Sequence, residues 1–206
     1  EFRALCLLHQ HDITNIPKAV KKDDNLNLGL YEWIDGKNIR EPSVDDLGET
    51  IDFAAQLYSL SQKIDGNNIA RASEACLSAN ELVSQIETRL LRLKRENKRF
   101  QELSTFLEHT FEPLWADVKD ASISMWPLES RDNCLSQKKQ TLSPSDFGFH
   151  NCHKTKDEAL TFLDFDYFGW DDPVKLTADF IWHPAMDLNP KMAVKWEEAM
   201  LDLFSD

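Results

Sequence analysis

Ser145-Asp146-Phe147-Gly148-Phe149-His150-Asn151 is the stretch on which the reading of this chain turns, because Asp146 has two incompatible roles in it. In one, Asp146-Phe147-Gly148 is a metal-holding triplet and its loop partner lies upstream. In the other, Asp146 opens an Asp-x4-Asn pair with Asn151, and a second carboxylate must arrive from downstream. The flanking residues decide between them.

Upstream, Ser130-Arg131-Asp132 to Gln137 imitates a catalytic loop, yet Gln137 stands where that loop needs Asn. Lys138 to Ser145 holds Pro144 and almost no apolar residues, so it cannot form the buried hairpin that should join the two sites. No Ala-Pro-Glu follows the triplet. Downstream, Cys152-His153 leads into the polar turn Lys154-Thr-Lys-Asp-Glu158, and Ala159 to Leu163 returns as an apolar strand. A strand, turn and strand of that kind deliver Asp164 beside Asn151. A carboxylate ending an apolar strand needs a cation, and Asn and Asp oxygens suit hard magnesium. Phosphoryl transfer asks for little more than these groups: one carboxylate to take the proton of the attacking hydroxyl, and oxygen ligands to hold magnesium on the phosphates. The second register therefore stands, with Asp146 as catalytic base and Asn151 and Asp164 as metal ligands.

The rest of the chain is compatible with such a site. Its 206 residues suit one large domain or one and a half small ones, and 42% apolar residues suffice for a core. A net charge of −13 argues against a nucleic-acid polymer as partner. Cys6, Cys76, Cys134 and Cys152 are scattered without a CxxC pair, as in an intracellular, cytoplasmic protein with reduced thiols. No apolar run is long enough for a membrane span. The chain opens on Glu1-Phe2-Arg3, so a preceding N-terminal segment is expected.

Phe2, Leu5, Cys6 and Leu8 are spaced for a helix over residues 1–10. An extended stretch follows Pro17, then the turn Asp23-Asp24-Asn25, then a strand from Leu26 to Ile34 that Asp35-Gly36 ends. Ser43-x-x-Asp46 forms a capping box ahead of an amphipathic helix that Gly66-Asn67-Asn68 breaks. Residues 72–109 predict one long or two successive helices, with the basic run Arg92 to Arg99 as a solvated face. Residues 129–141 predict loop, 160–165 a strand, and Met192 to Phe204 a helix. Trp126, Trp170 and Trp182 are expected in the core. His150, Cys152 and His153 crowd together without the second cluster that zinc would need.

Ser143-Pro-Ser-Asp-Phe-Gly-Phe-His-Asn151 and Phe162-Leu-Asp-Phe-Asp-Tyr-Phe-Gly-Trp-Asp-Asp-Pro173 together resemble the aminoglycoside phosphotransferase and choline kinase superfamily, as does the hinge Glu32-Trp33-Ile34-Asp35-Gly36. The resemblance covers most of the chain, the helices from about 66 to 128 only loosely. It implies an α+β, protein-kinase-like fold: residues 1–36 as the remnant of a small N-terminal lobe (a helix and two strands ending in the hinge), and 37–206 as a mostly helical C-terminal lobe with the catalytic and metal loops. It also implies Asp146 as base, Asn151 and Asp164 on Mg2+, and the backbone of Glu32, Trp33 and Ile34 at the adenine edge of ATP or GTP. Glu1 is similar to the helix glutamate that pairs with the phosphate-binding lysine. Pro144-Ser145 stands where the family has His-Gly, and the family's Gly-rich loop and strand lysine are not in these residues.

The expected activity is magnesium-dependent transfer of the γ-phosphate to a hydroxyl of a small molecule. Aminoglycoside, choline-like and sugar-type acceptors remain open. Asp166, Asp171 and His183 are further candidates around the site. The segment from Asp164 to Asp187 carries six Asp against Lys175 alone, a field that would attract a cationic acceptor. The alternative is a catalytically inactive, kinase-like binding or regulatory module.

Overall fold

A computed structural model describes residues 1–64, 68–96, 99–128, 131–186 and 188–205. The expected break at Gly66-Asn67 and the roles given to Ser130 and Asp187 lie outside the described residues. The chain is an α+β protein whose contacts divide it into two units, Glu1–Ala75 with Gln137–Asp206, and Cys76–Ser136.

The first unit opens with helix α1 (Phe2–Gln10), which buries Leu5 and Leu8. Strands β1 (Ala19–Asp23) and β2 (Leu28–Tyr31) form an antiparallel hairpin. The alternation across Leu26 to Ile34 predicts a longer strand. In the structure Leu26, Leu28 and Leu30 are exposed, and the register slips between Ala19 and Lys21. The hairpin turns Tyr31 toward Phe2 of α1 instead, their rings 6.2 Å apart. Residues 36–38 also differ from expectation: β3 (Gly36–Asn38) follows the hinge at once and pairs with β5 (Cys152–Thr155). β5 pairs in turn with β6 (Leu160–Phe162), giving the antiparallel order β3-β5-β6.

Helix α2 (Val44–Ser61) starts at the expected capping box, in which Ser43 and Asp46 each hold the other's backbone N–H. It buries Leu47, Phe53, Ala54, Leu57 and Leu60. Phe53 stacks on Phe162 of β6 at 4.1 Å and lies 5.8 Å from Phe147, so the helix backs the Asp146 loop and the β5–β6 hairpin at once. Three elements escaped the sequence reading. β4 (Thr141–Ser143) and β7 (Gly169–Asp171) pair antiparallel, and α6 (Pro173–Trp182) starts on an Asp172 cap. Each strand has only three residues, too few for a periodic signal. Gly169 is required where the backbone of residues 70–72 crosses β7, since a Cβ there would sit 2.4 Å from Ala70 O. Helix α7 (Pro190–Phe204) closes the core through Trp196, which stacks on Phe180 at 4.0 Å. Trp170 is in the core, but Trp182 is 81% exposed, which corrects its core assignment.

The second unit is helical: α3 (Ala79–Glu96), α4 (Gln101–Phe106), a π-turn at Leu107–Phe111, and α5 (Glu112–Met125). Residues 72–78 are not helical, so the predicted helix begins later than expected. Lys94–Glu112 and Glu87–Lys119 ion pairs at 2.5 and 3.0 Å run in opposite sequence directions, which sets α3 and α5 antiparallel. Arg92, Arg95 and Arg99 are exposed, while Lys94 is partly covered. No helix among the described residues is long and apolar enough to cross a membrane.

Candidate functional site

The Asp146 loop is built from β4 outward. Pro144 ends the strand, and Ser145 takes a left-handed φ of 73°. Two bonds hold it there: its N–H donates to Ser143 Oγ at 2.9 Å and its Oγ to Ser73 O at 2.7 Å. Phe147 and Phe149 anchor the loop in the core, and a short 3-10 turn at Phe149–Asn151 leads straight into β5.

Asn151 ties this loop to the hairpin. Its Nδ2 donates to the Asp146 backbone carbonyl at 2.9 Å. Its own carbonyl accepts from Leu163 N–H at 2.8 Å, one residue before Asp164. Asp164 follows β6 in a left-handed conformation, φ 61°, where the chain leaves the sheet. Asn151 and Asp164 thus share one end of one hairpin, and Asp146 abuts Asn151.

Asp146 is partly exposed, and its Oδ1 receives two imidazoles: His150 Nε2 at 2.8 Å and His183 Nε2 at 3.2 Å. Burial pulls its acidity toward the neutral form, but the hydrogen bond and charge of His150, the charge of His183 and the Asn151 contact outweigh it and hold the carboxyl below its ordinary range. Sequence reasoning gave His183 a marginal place and missed His150 as a partner of Asp146. The i, i+4 spacing of Asp146 and His150 was the available signal.

The remaining candidates lie elsewhere. Asp166 is exposed, and together with Asp164 it acts electrostatically on the Glu1 carboxyl. Burial first, then Asp166, raises the Glu1 pKa, while a hydrogen bond from Tyr31 opposes the rise. Asp171 is fully buried; its Oδ1 accepts from Asp172 N–H at 2.8 Å, and Lys175 lies 3.5 Å from its Oδ2. Burial, only partly offset by Lys175, pushes its pKa up to about 6. Asp172 caps α6 by accepting from Val174 N–H at 2.7 Å. Lys175 also pairs with Asp179. Much of the acidic cluster read from the sequence is therefore consumed internally, and Asp164 and Asp166 carry what remains on the described surface.

In the hinge, Glu32 N–H donates to Lys18 O at 2.9 Å and Ile34 O accepts from Gly36 N–H at 3.1 Å. Trp33, between them, is 88% exposed. Cys152, inside β5, is fully buried; burial, then Glu49 and Asp46, pushes its thiol up to about 12. All four cysteines are thiols.

No protein-family model and no curated protein sequence matches the chain.

Proposed function

We propose that this chain is a magnesium- and ATP-dependent small-molecule kinase of protein-kinase-like fold that transfers the γ-phosphate to a substrate hydroxyl. The strongest support is the pair of bonds through Asn151, whose side chain holds the Asp146 carbonyl and whose backbone holds Leu163. They join a carboxylate to a two-oxygen cation site without any further element. GTP in place of ATP, and aminoglycoside, choline-like or sugar-type acceptors, all fit this arrangement.

The donor set suits magnesium: one amide oxygen at Asn151 and one carboxylate at Asp164, both hard oxygens. The nucleotide would supply the phosphoryl group, and magnesium held by Asn151 and Asp164 would neutralise the charge of its phosphates. The chain's own residues do the rest. Glu32 C=O and Ile34 N–H offer an alternating acceptor and donor to the nucleotide base. Asp146, kept ionised by its imidazole neighbours, accepts a hydrogen bond from the acceptor hydroxyl and then its proton. The lowered pKa of Asp146 keeps it a carboxylate, which suits orientation of the hydroxyl before proton transfer. A nucleotide requirement and scattered cysteines, all four as thiols, favour a cytoplasmic location.

Full-length protein incubated with ATP, magnesium and a broad hydroxyl panel, read by mass spectrometry, tests the proposal. Transfer should appear and should fall by about 10²–10⁴ in Asp146→Asn. Transfer that does not depend on Asp146, or none across the panel, overturns it. Magnesium-dependent nucleotide binding without transfer would favour the inactive kinase-like binding module instead.

A further inference from the structure

One oxygen of Asp146 is the meeting point of two imidazoles from different elements. His150 lies on the 3-10 turn directly after the Asp146 loop, and His183 is the C-cap of α6. Both Nε2 atoms reach Oδ1, at 2.8 and 3.2 Å. The rings stack with centroids 4.1 Å apart and planes within 3°. Gly148 makes the room: a Cβ there would come within 2.8 Å of His150 Nδ1 and of Met186 Sδ.

The proton position on His183 follows from its second partner. Ala185 N–H, which can only donate, points at His183 Nδ1 from 3.2 Å. In the neutral ring the proton therefore sits on Nε2, facing Asp146. The same three residues also have ligand atoms within 4.8 Å of one another, as a metal cluster would. A metal on His183 Nε2 would send the proton to Nδ1, head-on against the Ala185 N–H, whereas metal-bound histidines give that proton to an acceptor. The donor arrangement satisfies His183, and the metal arrangement does not.

We propose that His150 and His183 are positioning residues whose Nε2–H groups together clamp Oδ1 of Asp146, leaving Oδ2 as the oxygen that meets the acceptor hydroxyl. This rests on the phosphotransfer reading above. Each histidine acts through Asp146: charge-assisted donors on one carboxylate oxygen fix its rotation, and a fixed base geometry is a large part of what positioning contributes to catalysis. The stacking makes the two rings one unit, so that losing either donor loosens the other.

Full-length protein carrying His183→Phe keeps a flat ring against His150 and removes the donor; His183→Gln restores a donor at similar reach. With circular dichroism confirming both fold, kcat should fall about 10- to 100-fold in His183→Phe with the nucleotide KM unchanged, and His183→Gln should recover most of it. In an Asp146→Asn background, His183→Phe should cost nothing more. An unchanged kcat in His183→Phe, or an equal loss in both backgrounds, overturns the clamp. Ring ¹⁵N spectra of the full chain read it without turnover: His183 should be the Nε2–H tautomer, and its Nε2 signal should move in Asp146→Ala. The Nδ1–H tautomer, or micromolar Zn2+ shifting both rings, overturns the clamp in favour of a metal cluster. Absent phosphotransfer with the expected tautomer instead sinks the kinase reading alone.

Discussion

The side chain of Asn151 and the backbone of Asp146 form a single hydrogen-bonded loop, Nδ2 to O at 2.9 Å. Whatever moves one moves the other, so the proposed metal ligand and the proposed base share one support. Residues that set this support, and not only those that end in the site, should show up in function.

Asn151→Ala removes both the proposed ligand and the brace. The half-saturating magnesium concentration should rise by about tenfold or more, the scale on which even outer ligand partners act. The melting temperature should drop only by the equivalent of about 1 kcal/mol for the lost hydrogen bond. Magnesium titrations of activity and thermal melts of the same preparation check the two parts. A large stability loss with unchanged magnesium dependence would leave Asn151 with a structural role only.

Ser145 sits at φ 73°, a region that costs a residue with a Cβ about 1 kcal/mol or more. Ser145→Gly removes that cost and forfeits the Oγ bond to Ser73, itself worth about 1 kcal/mol, so stability should stay nearly level. Ser145→Val keeps the strain, adds branching and loses the bond, and should cost about 2–3 kcal/mol. Chemical denaturation of both variants tests the contrast.

Asp46 makes stability depend on pH in one direction. Burial pulls its carboxyl up, but bonds from Ser43 and Lys154 win and hold it below its ordinary 3.8. A depressed native pKa stabilises above the unfolded value, and that stabilisation is lost as pH falls through the native one. Asp46→Asn should therefore lower the melting temperature at neutral pH, with the gap to wild type closing as pH drops below 3.8.

Asp171 acts in the opposite direction. Its pKa is raised from 3.8 to about 6 by burial, so its favourable contribution is complete below 3.8 and is lost as pH rises through about 6. The shift corresponds to about 3 kcal/mol. Asp171→Asn keeps an acceptor for Asp172 N–H and cannot ionise. Its stability profile should be flatter than wild type between these two values, which melting curves across that range measure.

The order Asp146, Asn151, hairpin, Asp164 was legible because each step carries a strong local signal. A polar pentad turn separates two apolar runs, and Ser43-x-x-Asp46 announces α2 with a cap whose chemistry is local. β4, β7 and α6 were not legible: two strands of three residues and a helix that starts on Asp172-Pro173, which reads equally as a turn. The exposure of Leu26, Leu28 and Leu30 on the β1–β2 hairpin was not legible, because alternation says that a strand has two faces without saying that either is covered. His150 and His183 meet only through the path of α6, a long-range fact that spacing in the chain does not encode.

Cys152 has one more use. Buried within β5, with its thiol pushed up to about 12, it is inert to alkylating reagents while its ladder stays closed; Cys134 is exposed on the surface. The two sulfurs therefore form a built-in stopwatch and its reference. Slow labelling at 152, timed against prompt labelling at 134, would report how often the β5–β6 ribbon breathes open, with no foreign probe attached.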